Sequence, residues 1–282
     1  MKTVSSIPVM QGMARDWCRS GKRIACIPTM GALHQGHMSL VDIAKKNADI
    51  VVMSIFVNPT QFAPHEDLAQ YPRPIEQDLE RARMHGVDAV FLPSAADMYH
   101  LSHSTWVTVE EVTAPLEGAL RPDHFRGVTT VVAKLFNAML PDVAVFGQKD
   151  AQQASAIRRM VRDLNMPIDI VIAPIAREAD GLALSSRNIY LTYTERFVAP
   201  LINAGLERAK KLFVNGECSS EVLKRVILDE YAKSSLLAPD YISVADWSNM
   251  GEQDSADIGS LISVAVRMAE SGTRLLDNIV LT

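Results

Sequence analysis

Five short runs rich in apolar and β-branched residues, 24–29, 50–57, 89–93, 143–147 and 168–173, recur along the first two thirds of the chain. Each suits a strand buried on both faces. Between them, residues 36–48, 74–85, 128–140 and 151–165 carry apolar positions at the three- and four-residue spacing of an amphipathic helix. Repeated strand–helix–strand units predict a parallel sheet with helices against it, a Rossmann-like α/β domain. After the segment LSSRNIYLTYTER the order changes. Two helical stretches, 199–214 and 220–234, precede three strand candidates, 241–246, 261–268 and 275–280. That order predicts a smaller C-terminal α+β domain, so the chain divides into residues 1–185 and 186–282.

Composition narrows the function classes. The 282 residues are 48% hydrophobic and 22% charged, the balance of a chain that folds throughout. A formal net charge of −5 argues against a broad nucleic-acid surface and leaves room for a local phosphate pocket, so small-molecule partners are expected. The three cysteines, Cys18, Cys26 and Cys218, are odd in number and lack metal-ligand spacing. Neither a disulfide framework nor a zinc site is indicated, which fits a cytoplasmic location. The N-terminus has no secretory-signal pattern, and the longest apolar run, 48–57, is interrupted by Asp49 and Ser54 and too short to span a bilayer. No membrane partner is expected.

The most informative segment is PTMGALHQGH, residues 28–37, placed where the first of these strands ends and a helix begins. Gly31 and Gly36 permit tight backbone paths, and the amides of a helix start attract an anion. His34 and His37 add side-chain donors that, charged or neutral, offer N–H to phosphate oxygens as negative charge builds on them. A metal pair or two surface histidines is the competing reading. FGQKD, residues 146–150, follows another buried strand and therefore falls on the same sheet edge. There Lys149 can neutralise phosphate and Asp150 can accept from ribose hydroxyls, although a Lys-Asp pair after a strand is usually a solvated turn. READGLALSSRN, residues 177–188, gathers Ser185, Ser186 and Arg187 as a clamp for β- and γ-phosphates, against the plain alternative of a capped helix with a surface arginine. In FVNPTQF, residues 56–62, an Asn-Pro turn brings Gln61 to the same edge. Gln61 and Gln153, flanked by Met30, Val128, Val131 and Val132, suit a compact acceptor bearing hydroxyls and hydrocarbon. RPDHFRG, residues 121–127, precedes the helix that carries those valines and is placed to close over the site. Tyr71, Arg73 and Asp78 are further cleft candidates, with a harmless place in a first helical turn the alternative for Asp78.

Together, PTMGALHQGH, FVNPTQF, LEGALRPDHFRG, FGQKDAQQ, READGLALSSRN and the late GTRLLDN resemble the pantothenate synthetase (pantoate–β-alanine ligase) family of the nucleotidyltransferase superfamily. The resemblance runs almost end to end. It implies that pantoate attacks the α-phosphorus of ATP to form pantoyl-adenylate and pyrophosphate, and that β-alanine then displaces AMP to give pantothenate. By matching positions, Met30, Gly31, Ala32, Leu33, His34, Gln35, Gly36 and His37 would form the first ATP-binding stretch, with His37 the proton donor and His34 its phosphate-binding partner. Gly147, Gln148, Lys149, Asp150, Ala176, Leu184, Ser185, Ser186 and Arg187 would complete the nucleotide site. Gln61 and Gln153 would hold pantoate, Gln61 also β-alanine, with Asn58, Tyr71, Arg121 and His124 of second rank. Mg²⁺ would accompany the phosphates, the protein would be a homodimer, and a hinge near Ser186 would close the small domain over ATP. Gln35 and Gln148 stand where the family usually has Glu, Ala151 where it has a bulkier residue, and Asp123 where it has Gly, so Asp123 must meet whatever backbone shape a glycine would serve. Two readings compete with this one: an adenylyltransferase for a phosphorylated acceptor, and a catalytically silent nucleotide- or RNA-binding relative.

Overall fold

The computed structural model describes residues 1–63 and 68–282. In chain order the first part contains β1 (Lys2–Val4), α1 (Ile7–Arg19), β2 (Ile24–Thr29), α2 (Gln35–Asn47), β3 (Ile50–Ile55), α3 (Ile75–Met84), β4 (Ala89–Phe91), α4 (Ala95–Met98), α5 (Glu117–Leu120), α6 (His124–Met139), β5 (Val143–Gly147), α7 (Ala151–Asp163) and β6 (Asp169–Ala173). The six strands form one sheet in the order β1-β4-β3-β2-β5-β6, every pairing parallel. The strands alternate faces residue by residue. Ile24 and Cys26 join one apolar cluster with Ala144 and Phe146, while Ala25 and Ile27 join the other with Val143 and Val145. Burial on both faces explains why these strands are continuously apolar rather than alternating.

From β2 the chain builds outward through β3, then returns to the other side of β2 at β5. The strand order therefore reverses between β2 and β5, where side-by-side pairing is limited to Ala25 with Val143 and Cys26 with Ala144. Crevices at the carboxyl ends of such strands are where open α/β sheets receive ligands.

The second part comprises α8 (Tyr193–Val198), α9 (Leu201–Val214), α10 (Ser220–Tyr231), β7 (Leu237–Asp246), β8 (Ser260–Met268) and β9 (Arg274–Val280), the strands forming an antiparallel sheet. Its own core includes Leu206, Leu223, Ile227, Val264 and Met268. The two parts are tied together at several points. Met250 and Leu261 pack into the core of the large sheet, and Ser155 Oγ donates to the Trp247 carbonyl at 2.8 Å. Buried Glu117 receives Arg274 through two bonds of 2.7 Å. A swing of the small sheet about Ser186 would have to break these ties.

Three features differ from the sequence pattern. Residues 2–4 and 7–19 form a strand and a helix where the apolar pattern predicts no element. Helix α6 begins at His124, so the RPDHFRG segment is a turn plus the first helical turn rather than a loop ahead of the helix; its polar residues hide the start from an apolar-period reading. Strand β7 begins at Leu237, earlier than expected, because it is an edge strand whose register shift between Pro239 and Tyr241 accommodates the proline. At the N-cap of α6, Asp123 holds φ 70°, a left-handed conformation that glycine adopts freely and aspartate tolerates.

Gly127 is where α6 meets the turn after β3: a Cβ there would lie 2.5 Å from the carbonyl oxygen of Thr60 and 2.8 Å from Cα of Gln61. Both obstacles are backbone, so Gly127→Ala is expected to destabilise the protein by about 1–3 kcal/mol through overpacking. Urea unfolding measures this, and an unchanged midpoint with an unchanged slope would contradict the close packing.

Candidate active site

Strand β2 ends at Thr29, and the chain turns through Gly31 at φ 83° and Ala32 at φ 50° before α2 starts. This turn is held from beneath by α3. The buried Asp78 carboxylate accepts the Ala32 amide at 2.8 Å and the Leu33 amide at 2.7 Å, while Arg81 donates to the Leu33 carbonyl. Burial raises the Asp78 pKa, and the two amides pull it back. Thr29 Oγ donates to the Ser54 carbonyl at 2.7 Å and accepts the Gly31 amide at 3.2 Å. Gly31 has no room for a side chain, since a Cβ would sit 2.9 Å from Asp78 Oδ2.

The two histidines complete the helix start by capping it reciprocally. His34 Nδ1 accepts the Gly36 amide at 3.1 Å, and His37 Nδ1 accepts the His34 amide at 3.2 Å, with ring centroids 4.2 Å apart. An Nδ1 that accepts cannot carry a proton, so each neutral ring bears it on Nε2. Burial, with the positive Lys149 and Arg81 beyond it, holds the His34 pKa down at about 4 against the opposing pull of Asp150. Burial, then His34 and Lys149, holds that of His37 at about 3. The rings are therefore neutral Nε2–H donors at pH 7, a narrower state than the charged-or-neutral pair expected from sequence. The helix-start amides are also committed: those of Ala32, Leu33, His34 and Gly36 all have side-chain acceptors. Those four amides are therefore not free to receive an anion.

Both rings line a cleft of about 920 Å³ at the carboxyl ends of the strands, a size that accommodates a nucleotide and small acids together. From the end of β3, Asn58 and Gln61 enter it. Asn58, almost wholly buried, donates to Gln61 Oε1 and to the Gly127 carbonyl, both at 3.1 Å, while Gln61 Nε2 lies 3.0 Å from Met30 Sδ. His124 Nδ1 donates to the Gln61 carbonyl at 2.9 Å, and Arg121 lies 3.2 Å from His124 Nε2. Val128, Val131, Val132 and Leu135 of α6 form the apolar wall of this end, with Gln153 of α7. These valines are thus both core and cleft.

At the other end, β5 delivers Gly147, Lys149 and Asp150, with Lys149 Nζ 3.8 Å from the Asp150 carboxylate. Beyond β6, Ala176, Leu184, Ser185, Ser186 and Arg187 line the cleft; the Leu184 amide donates to the Ala176 carbonyl, and Ser185 Oγ accepts the Arg187 amide. Strand β9 closes this side. Asn278 donates to the carbonyls of Gln148 and Lys149, and Asp277 receives Arg177 at 2.6 and 2.9 Å.

Most sequence-selected residues therefore meet: Met30, His34, Gly36, His37, Asn58, Gln61, Tyr71, Arg121, His124, Gly147, Lys149, Asp150, Gln153, Ala176, Leu184, Ser185, Ser186 and Arg187 share the cleft. Gly31, Ala32, Leu33, Gln35, Gln148, Arg73 and Asp78 are not among its lining residues. Leu33 is core, Gln35 is exposed, Gln148 faces Asn278, and Asp78 acts from below the turn. Residues missed from sequence are Gln152, Glu117, Tyr241, Arg274, Asp277 and Asn278. Buried Gln152 ties α7 to the Glu117 amide and the Val112 and Pro115 carbonyls, and Tyr241 donates to Glu117 at 3.0 Å. The signal available was the polar Arg, Asp and Asn of RLLDNIV inside an otherwise apolar strand.

A parallel sheet whose switch point carries paired imidazoles, a lysine and a serine-arginine loop defines a nucleotide-using enzyme of Rossmann-like architecture. The family model for pantoate-beta-alanine ligase matches residues 2–280. The chain belongs to the pantoate–β-alanine ligase family. It is 50% identical over 281 residues to the pantothenate synthetase of Geotalea daltonii, covering 100% of this chain and 99% of the relative, and 50% identical over the same length and coverage to that of Geobacter sulfurreducens. Among solved structures, pantothenate synthetase from Thermus thermophilus superposes with a TM-score of 0.94 at 39% identity, covering 100% of this chain and 99% of the other. The Francisella tularensis pantoate-beta-alanine ligase, in complex with beta-gamma ATP and beta-alanine, superposes at 0.80 with 31% identity, covering 99% and 97%.

Depressed imidazole pKa values have a direct readout. In ¹⁵N-labelled protein without ligands, His34 and His37 should keep the neutral Nε2–H pattern from pH 8 down to 5, where an ordinary imidazole of pKa near 6.5 is mostly charged. Titration of either ring near 6.5 would contradict the reciprocal caps.

Proposed function

We propose that this chain condenses pantoate with β-alanine at the expense of ATP, forming pantothenate, AMP and pyrophosphate through pantoyl-adenylate. The observation that carries the reading is one cleft with two chemically distinct ends: imidazoles, Lys149 and the 185–187 loop at one, and an amide-and-valine pocket at the other. A pantoate carboxylate oxygen attacks the α-phosphorus, the bond to the bridging oxygen breaks, and pyrophosphate leaves. The β-alanine nitrogen then attacks the acyl carbon, AMP leaves with the C–O bonding pair, and the ammonium sheds its proton. Held in one cleft, the reactants gain chiefly from proximity and from stabilisation of phosphate charge.

In this reading the Nε2–H groups of His34 and His37 donate to phosphate oxygens as charge accumulates. Lys149, Ser185, Ser186 and Arg187 hold the departing pyrophosphate, and Asp150 accepts from ribose. Gln61 and Gln153 bind pantoate, with Gln61 reaching β-alanine. Gln61 is apt because its side chain is already oriented by Asn58. Mg²⁺ belongs to the proposal as a companion of the phosphates, whose charge it neutralises when bound. Among the described residues no three His, Cys, Asp or Glu side chains cluster as an ion cage, which suits an ion carried mainly by phosphate and water. A cytoplasmic location fits the three free thiols, and no helix among the described residues is long and apolar enough to cross a membrane.

We also propose a homodimer. Segment 104–110 lies outside both sheets, Val107 is held by the Thr129 and Thr130 side chains, and Trp106, 40% exposed, with exposed Leu101 offers apolar surface suited to a second copy. Sedimentation should find a dimer for the native chain and monomer for Trp106→Asp; a monomeric native chain would remove the assembly proposal.

The activity test incubates the purified chain with ATP, Mg²⁺, pantoate and β-alanine and measures AMP, pyrophosphate and pantothenate together. Equimolar AMP and pantothenate are expected, with His37→Ala slower by about 10²–10³-fold. Folded, ATP-binding protein that yields no pantothenate would redirect the reading to a phosphorylated acceptor or a silent relative.

A further inference from the structure

Two adjacent residues of β9 hold both loops that surround the pyrophosphate end of the cleft. Asn278, 2% exposed, donates from Nδ2 to the carbonyls of Gln148 at 2.9 Å and Lys149 at 3.0 Å, and its Oδ1 accepts from Gln148 Nε2 at 3.1 Å. Its neighbour Asp277, 3% exposed, receives the Arg177 guanidinium through two bonds. Arg177 in turn donates to the Gly181 carbonyl at 3.1 Å and pairs through its backbone with Ala183, so the hairpin leading to Ser185 is fixed to the same strand. The turn carrying Lys149 comes from the end of β5, and the hairpin leading to Ser185–Arg187 from beyond β6. Side chains of adjacent strand residues leave opposite faces, so β9 passes between the two loops and ties one to each side of a single rigid strand.

We propose that Asp277 and Asn278 are positioning residues for adenylation: they set the spacing between Lys149 and the Ser185–Arg187 loop so that both meet a single polyphosphate. They act through those two loops and not on substrate. On this view the small domain gauges the nucleotide site instead of merely covering it. The side-chain bond from Gln148 adds a further tie to the junction. The inference rests on the adenylation reading above and deepens it.

The reading separates two half-reactions. Forming pantoyl-adenylate needs the pyrophosphate end of the cleft; consuming it with β-alanine does not. In the full-length protein, pantoate-dependent exchange of labelled pyrophosphate into ATP reports the first step, and β-alanine attack on supplied pantoyl-adenylate reports the second. Asn278→Ala is expected to slow the first by about 10²-fold, the scale of a misplaced catalytic group, and to leave the second close to native. Asn278→Ser, which keeps one donor, should fall between, and it carries the test if the alanine variant does not fold. In a Lys149→Ala background the Asn278→Ala loss should largely vanish, because the two changes disable one device. Equal losses in both half-reactions, full additivity with Lys149→Ala, or unchanged exchange would each overturn the positioning role. A native chain that fails both half-reactions would overturn the adenylation reading instead.

Discussion

Between β2 and α2 the backbone passes through two left-handed residues and must still find an acceptor for each amide it buries. Thr29, Asp78, His37 and His34 supply them, taking the amides of Gly31, Ala32, Leu33, His34 and Gly36. An unpaired buried amide costs about 1–3 kcal/mol, so five satisfied amides make this turn a rigid object. The turn's composition follows from that requirement: a glycine where Asp78 presses from below, and histidines that cap the helix through Nδ1 while their rings line the cleft. Capping and protonation state are one constraint. A proton on Nδ1 would abolish the cap, and the low pKa values express the same preference.

The supports of the site come from distant parts of the chain. Asp78 reaches the β2 turn from α3, Gln152 ties α7 to the start of α5, and Arg274, Asp277 and Asn278 arrive from the last strand. Each joins segments far apart in sequence, so the cleft forms only when the large sheet, its helices and the small sheet are all in place.

This distribution explains what the sequence disclosed. Strands 24–29 and 143–147 were legible to the residue because a doubly buried parallel strand is continuously apolar and ends where the ligand edge begins. His34, His37, Lys149 and Ser185–Arg187 stood out because their polar side chains interrupt the chain just beyond apolar strands, and the structure brings all of them to one cleft. Asp78 was not assigned its role, since an acidic residue in a first helical turn has an ordinary explanation in the helix dipole. Asn278 was hidden for a related reason: two of its partners are backbone carbonyls about 130 residues away, and backbone atoms leave no trace in residue type. The left-handed Asp123 is a backbone conformation that aspartate tolerates but does not by itself announce.

The apolar wall of the cleft belongs to a different element from its polar end. Val128, Val131, Val132 and Leu135 sit on α6, which Gly127 presses against the turn after β3, whereas the imidazoles, Lys149 and the 185–187 loop hang from β2, β5, β6 and β9. The two ends of the cleft therefore rest on separate supports, and a change of side-chain volume along one helix face reshapes the apolar end without touching the strands that carry the polar one.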